Sequence, residues 1–272
     1  MKNYSLETVD YTLSIPDNPS HSTIVIVPGM ACNRYGHPFA EDPKGLVEDI
    51  YNLAKDEANI IFPDIHQMTR SNSSGKPICG ETVETQNERI MTILERLPDH
   101  MRSESLLLVG QSLGCLAVSS LAQKFSQKDN ASAIFFGPPT LEGVEHCKKL
   151  VYMFRGRELT SVDDYGNGQV QFGNNKLMIV TSNYWSSMDK NSIRAHYKTM
   201  RENYNEIIAF CADEDSFYPN NKGYLSAYTP QIIRYEVHGT SHTFKSEEMR
   251  DEIKKKLVNH EILKRIFKSS LK

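Results

Sequence analysis

Short apolar runs, each stopped by turn residues, alternate along this chain with stretches whose apolar residues recur at helical spacing. Ser22 to Val27 is almost entirely β-branched and stops at Pro28-Gly29. Asn59 to Phe62 stops at Pro63-Asp64, Ser105 to Val109 at Gly110, and Ser132 to Phe136 at Gly137. Glu206 to Cys211 and Ile232 to Val237 follow near the end. Continuous rather than alternating apolar character predicts strands buried on both faces, as in a parallel sheet. Tyr4 to Ile15 is more polar and predicts one or two edge strands, with a turn at Pro16 to Pro19.

Helical spacing is clear in Pro43 to Glu57, where Leu46, Ile50, Leu53 and Ala54 form one stripe. It returns over Thr82 to Leu97 and Cys115 to Phe125, and Ser246 to Phe267 predicts one closing helix. In that last helix Ile253, Leu257, Ile262, Ile266 and Phe267 should face the sheet, leaving the lysines to water. His66 to Cys79 is polar and predicts a loop. The alternation of strand and helix defines an α/β class with a mostly parallel sheet flanked by helices.

One connection is longer than the architecture needs. Phe136 and Glu206 are separated by 69 residues, whereas a βαβ crossover takes about 10–12 or more. The surplus predicts an insertion. Gln169 to Phe172 and Leu177 to Val180 flank Gly173-Asn174-Asn175 as in a β-hairpin. Tyr184 to Tyr204 then reads as helical and aromatic-rich. The expected organisation is a core of residues 1–137 and 206–272, with 138–205 as an inserted cap.

Composition narrows the partners. Lys and Arg number 31 against 34 Asp and Glu, a net charge of −3, which gives no electrostatic case for nucleic acid. The five cysteines (Cys32, Cys79, Cys115, Cys147 and Cys211) are odd in number and show no CxxC spacing, so free thiols are expected rather than a disulfide framework. The start of the chain shows no apolar signal region, and no run approaches the roughly 20 apolar residues of a membrane-spanning helix. A cytoplasmic protein with no stable membrane insertion is expected. Its oligomeric state is not legible. The histidines show no metal-ligand spacing, so no metal is expected.

Chemistry enters at Gly110-Gln111-Ser112-Leu113-Gly114. The pattern G-x-S-x-G is weak alone, but here it sits between a hydrophobic strand and a helix of small residues. That is the setting of a nucleophile elbow, where small neighbours let a strained serine stand above the sheet edge. With this turn in place, the chain resembles the α/β-hydrolase superfamily over nearly its whole length, and the insertion resembles the cap of bacterial esterases acting on cinnamoyl or other small acyl esters. Val27-Pro28-Gly29-Met30 stands where that family has its oxyanion loop. Phe62-Pro63-Asp64 matches another family strand end, although His66, Gln67 and Met68 replace glycines common there.

The resemblance implies the order nucleophile, acid, histidine. Asp215, after the Cys211 strand and four residues before Pro219, is the preferred acid, with Asp213 as the alternative. Gly239-Thr240-Ser241-His242 with Phe244 nearby makes His242 the expected base, and His238 sits too close to the strand end. Backbone N–H groups of Leu113 and Met30 are the expected oxyanion donors. Aromatics of the insertion, with Trp185 and Phe172 preferred, would line a pocket for a small-molecule acyl substrate.

The function expected is that of a carboxylesterase-like serine hydrolase working through an acyl-enzyme, with no cofactor. Two alternatives stand beside it. An acyl thioesterase or acyltransferase would use the same residues on carrier- or CoA-bound chains, with Arg155, Arg157 and Lys176 as candidate phosphate contacts. A non-catalytic binding protein of the same fold would keep the pocket without turnover.

Overall fold

In the computed structural model the described residues are 1–6, 9–18, 20–29, 34, 41–65, 78–79, 82–102, 104–126, 129–140, 168–172, 176–180, 186–215, 232–239, 242 and 244–268. The chain opens with an antiparallel pair, β1 (Lys2–Ser5) and β2 (Asp10–Ser14), followed by β3 (Ser22–Val27). Helix α1 (Leu46–Ala54) leads to β4 (Asn59–Pro63) and the two-residue β5 (Ile78–Cys79). Helix α2 (Val83–Arg96) is capped by Thr82, whose hydroxyl accepts from the Thr85 N–H at 3.1 Å while the Thr85 hydroxyl accepts from the Thr82 N–H. Then come β6 (Ser105–Gln111), α3 (Gly114–Leu121) and β7 (Ala131–Phe136).

The second half contains β8 (Gly168–Phe172), β9 (Lys176–Val180), α4 (Lys190–Asn203), β10 (Ile207–Ala212) and β11 (Ile233–Val237). Two helices close the chain, α5 (Glu247–Val258) and α6 (Glu261–Lys268).

The main sheet has eight strands in the order β1-β2-β4-β3-β6-β7-β10-β11. Only the pairings of β2, with β1 and with β4, are antiparallel. Both faces are covered, which is why the central strands read as unbroken apolar runs. Alternate residues serve different cores. Val25, Val27, Leu106 and Leu108 pack with α2, α3 and α4, whereas Ile24, Ile26, Leu107 and Val109 pack with α1, α5 and α6.

The strand order reverses at β3: β4 lies on one side of it and β6 on the other. In open α/β sheets such a reversal leaves a crevice at the carboxyl ends of the two diverging strands. Here those ends carry Gly29 and Ser112.

The described residues between β7 and β10 lie in two places. β8 and β9 pair antiparallel, and β9 also pairs parallel with β5, making a separate three-stranded sheet. Helix α4 instead lies on the main core. Its Ile193, Tyr197 and Met200 are fully buried. The Tyr197 hydroxyl donates to the Pro139 carbonyl at 2.6 Å, and Asn203 donates to the Ala122 carbonyl at 2.9 Å.

The closing helix expected over Ser246 to Phe267 is two helices, and the break carries both local caps and a tertiary contact. Asn259 donates its side-chain amide back to the Lys255 carbonyl, and the His260 ring accepts from the Ile262 N–H at 3.3 Å, capping the new helix. His260 and Arg265 both reach Glu206, just before β10, at 3.3 and 2.7 Å. Ile253, Leu257, Ile262 and Ile266 are buried as expected, and the Phe267 side chain lies outside the described residues. Among the described residues no helix is long and apolar enough to cross a membrane.

Candidate active site

The turn after β6 carries the strain that its sequence predicts. Ser112 has φ of +52°, a left-handed conformation that L-residues other than Gly, Asn and Asp adopt rarely. The Ser112 N–H donates to the Phe136 carbonyl at 2.8 Å, tying the turn to the end of β7. The flanking glycines are required by space. A Cβ on Gly110 would lie 2.7 Å from the Cys115 Cα, and one on Gly114 would lie 2.5 Å from the Pro28 carbonyl oxygen and closer still to that of Val27. The helix start is therefore pressed against the end of β3.

That close approach also brings the loop after β3 to the serine. A Cβ on Gly29 would sit 3.0 Å from the Ser112 Cβ. Leu113, the residue following Ser112, is the N-cap of α3, a position whose N–H has no intrahelical acceptor. Met30 lies outside the described residues, so only the backbone immediately before it is placed beside Ser112.

His242 and Asp215 meet Ser112 from the ends of other strands. Asp215 follows β10, His242 follows β11, and the two strands run parallel with Ala212 opposite Val237. The His242 Nε2 stands 2.7 Å from the Ser112 Oγ, and its Nδ1 stands 2.8 Å from the Asp215 Oδ2. Both the imidazole and the carboxylate are buried, with side chains 9 % and 2 % exposed.

Behind them lies Gly137, at φ of +57° just past β7. A Cβ there would come within 3.1 Å of two atoms of the His242 ring and 3.5 Å of the Asp215 carboxylate. This backing residue was missed in the sequence, although Gly137 directly follows β7.

Asp213 is placed differently. Its Oδ2 accepts from the Gly239 N–H at 3.1 Å and lies 3.2 Å from the His238 Nδ1, and the His238 ring is 76 % exposed. Asp213 and Asp215 thus take two different histidines.

Cys115 lies below the turn and is fully buried, with its Sγ 3.2 Å from the Gly110 carbonyl. Burial pushes its thiol well above the ordinary cysteine range, so the reactive thiolate is suppressed. Among the described residues no group of three or more His, Cys, Asp or Glu is arranged to hold a metal. Trp185, Arg155 and Arg157 lie outside the described residues. Phe172 and Lys176 are placed by their backbone alone, at the end of β8 and the start of β9.

No protein-family model and no curated protein sequence matches the chain. Solved structures do match it along most of its length. Est1E from Butyrivibrio proteoclasticus, in a structure described as bound to ferulic acid, superposes with a TM-score of 0.65 at 12% identity, covering 95% of this chain and 98% of that one. A monoacylglycerol lipase from Paleococcus ferrophilus gives 0.60 at 17% identity, covering 97% and 100%. The esterase domain of a Rhodothermus marinus protein gives 0.59 at 15% identity, covering 92% and 90%. These likenesses, together with the sheet order and the turn after β6, give the chain the α/β-hydrolase fold.

Proposed function

We propose that the protein is a serine hydrolase that cleaves a carboxylic ester of a small or medium acyl group through an acyl-enzyme. The observation that carries this reading is the continuous hydrogen-bonded line from Ser112 Oγ through His242 to Asp215, 2.7 and 2.8 Å long, ending on a serine held at φ of +52°. A serine hydroxyl is too weak an acid to attack a carbonyl unaided. His242 Nε2 takes its proton as the oxygen attacks and returns that proton to the leaving alcohol. Asp215 fixes the Nδ1–H tautomer of the ring and stabilises the imidazolium that forms.

Charge then develops on the former carbonyl oxygen. The Leu113 N–H and that of Met30 are assigned as its donors, which the nearness of Gly29 to Ser112 supports. Water enters by the reverse of the same steps and releases the acid, so none of them calls for a metal or cofactor.

Residues 1–137 and 206–272 form the hydrolase core in this reading, and 138–205 is the insertion. Within it α4 serves as the crossover from β7 to β10, as its burial on α3 supports, and the segment carrying β8 and β9 is the cap. Structural likeness to an esterase described with ferulic acid favours aryl-acyl esters among the substrates.

The test is a panel of p-nitrophenyl esters, aryl-acyl esters and acyl-CoAs of varied chain length, with fluorophosphonate labelling of Ser112. Turnover of short or aryl-acyl esters with labelling is expected. Preference for acyl-CoA would make the protein a thioesterase, and absence of both turnover and labelling would make it a binding protein of the same fold.

A further inference from the structure

We propose that Asp213 is a positioning residue that clamps the acid-bearing turn to the histidine-bearing turn, a role that rests on the Ser112–His242–Asp215 reading. Asp215 and His242 come from separate loops, so their 2.8 Å contact depends on how those loops are held together. The parallel pairing of β10 and β11 ends at Ala212 and Val237. Asp213 carries the connection beyond the last ladder pair, first by its own N–H, which donates to the Val237 carbonyl at 3.2 Å. Its side chain then reaches across the gap, where one oxygen accepts from the Gly239 N–H at 3.1 Å and stands 3.2 Å from the His238 Nδ1.

The geometry makes this a short lever. Asp213 is two residues before the acid, and Gly239 is three residues before the base. A carboxylate accepting a backbone N–H forms a charge-assisted bond, stronger than a neutral one. The Asp213 side chain is 27% exposed, against 2% for Asp215, so the clamp lies on the outer side of the same turn whose inner side holds the imidazole. Its bonds run to Val237, Gly239 and His238, and it acts on the site through them.

Three variants separate the roles. Asp213→Ala removes the acceptor and the charge. Asp213→Asn removes the charge but keeps an oxygen for the Gly239 N–H. Ser112→Ala tests the functional reading itself. Kinetics on a p-nitrophenyl ester are measured beside the far-downfield proton resonance of the His242 Nδ1–H, assigned by its loss in His242→Ala. For Asp213→Ala we expect kcat to fall roughly tenfold to a hundredfold, as for a displacement of about 1 Å. KM should stay nearly constant, and the downfield resonance should broaden or vanish while the thermal unfolding curve stays cooperative. Asp213→Asn should restore the resonance and most of kcat.

Equal impairment of the Ala and Asn variants overturns the clamp, because charge rather than the acceptor would then matter. An unaltered resonance in Asp213→Ala also overturns it. Should the Ala variant not fold, hydrogen exchange of the Gly239 amide in Asp213→Asn decides: retained protection supports the clamp, and lost protection with undiminished kcat overturns it. If Ser112→Ala still hydrolyses the ester, the functional reading fails, and the resonance, which needs no turnover, still decides the clamp.

Discussion

His242 places its Nε2 2.7 Å from the Ser112 Oγ, joining two residues 130 positions apart in the chain. A bond of that length between a hydroxyl and an imidazole is the starting geometry for general-base catalysis. Replacing either residue with Ala should lower kcat by several orders of magnitude, on the order of 10⁴–10⁶. Neither change should shift the melting temperature by more than a few degrees. Stopped-assay kinetics with an activated ester, alongside thermal unfolding, checks both statements.

Asp215 and Asp213 should respond very differently to amidation. Asn at 215 offers an NH₂ or an oxygen to the Nδ1 of His242 but no charge, so the imidazolium loses its partner and the tautomer is no longer fixed. A loss on the order of 10³–10⁴ in kcat is expected. Asp213→Asn should cost only a few-fold. If the larger loss falls on Asp213→Asn, the acid is Asp213 and the pairing of His242 with Asp215 is structural.

Gly137→Ala tests the backing of the imidazole. The new Cβ must accept φ of +57°, costing about 1–2 kcal/mol. It must also share space with the His242 ring, 3.1 Å away. A ring displaced by a few tenths of an ångström should lower kcat by roughly ten- to a hundredfold with a smaller change in KM. Gly114→Ala meets backbone carbonyls instead and has no side chain to push aside. Its effect should appear as lost stability, at the upper end of about 1–3 kcal/mol or beyond, read from denaturant unfolding.

Cys115 should be inert in the folded protein. Burial raises its thiol well above the ordinary range, so almost no thiolate exists at neutral pH. Iodoacetamide should leave it unmodified until denaturant is added, and alkylated peptide mapping reads the difference. Rapid labelling in the native state, with loss of esterase activity, would show a second nucleophile beneath the serine.

Much of the frame is legible in local pattern. The run Ser22 to Val27 and β3 share both ends, because a β-branched segment stopped by Pro28-Gly29 has little else to become. The glycines around Ser112 are legible because the strained turn leaves them no alternative. Other features depend on contacts between distant residues. The spacing to Pro219 favours Asp215 over Asp213 only through the family resemblance, since both lie in one turn and what separates them, their partners and burial, is set by distant residues. The break at Asn259 and His260 is accompanied by contacts of His260 and Arg265 with Glu206, more than fifty residues away in sequence. The parallel pairing of Ile78 and Cys79 with β9 joins two residues of a polar stretch to a strand about a hundred positions on, which periodicity cannot reveal.

His196 on α4 should make stability fall in mild acid. Its Nε2 is buried without a hydrogen-bond partner among the described residues. Burial lowers its pKa from the ordinary 6.5, opposed by the nearby carboxylates of Glu84, in the first turn of α2, and Asp189, which caps α4 through Ser192. A histidine whose folded pKa is depressed takes up its proton more readily when unfolded. The unfolded state therefore binds more protons than the native state between the folded value and about 6.5. Stability is at its full value above that window and declines as pH falls through it. His196→Gln cannot titrate and should flatten this part of the curve. Melting temperatures at half-unit steps from pH 8 to 5 compare the two proteins; parallel curves would show that the imidazole keeps its ordinary affinity for a proton between α2 and α4.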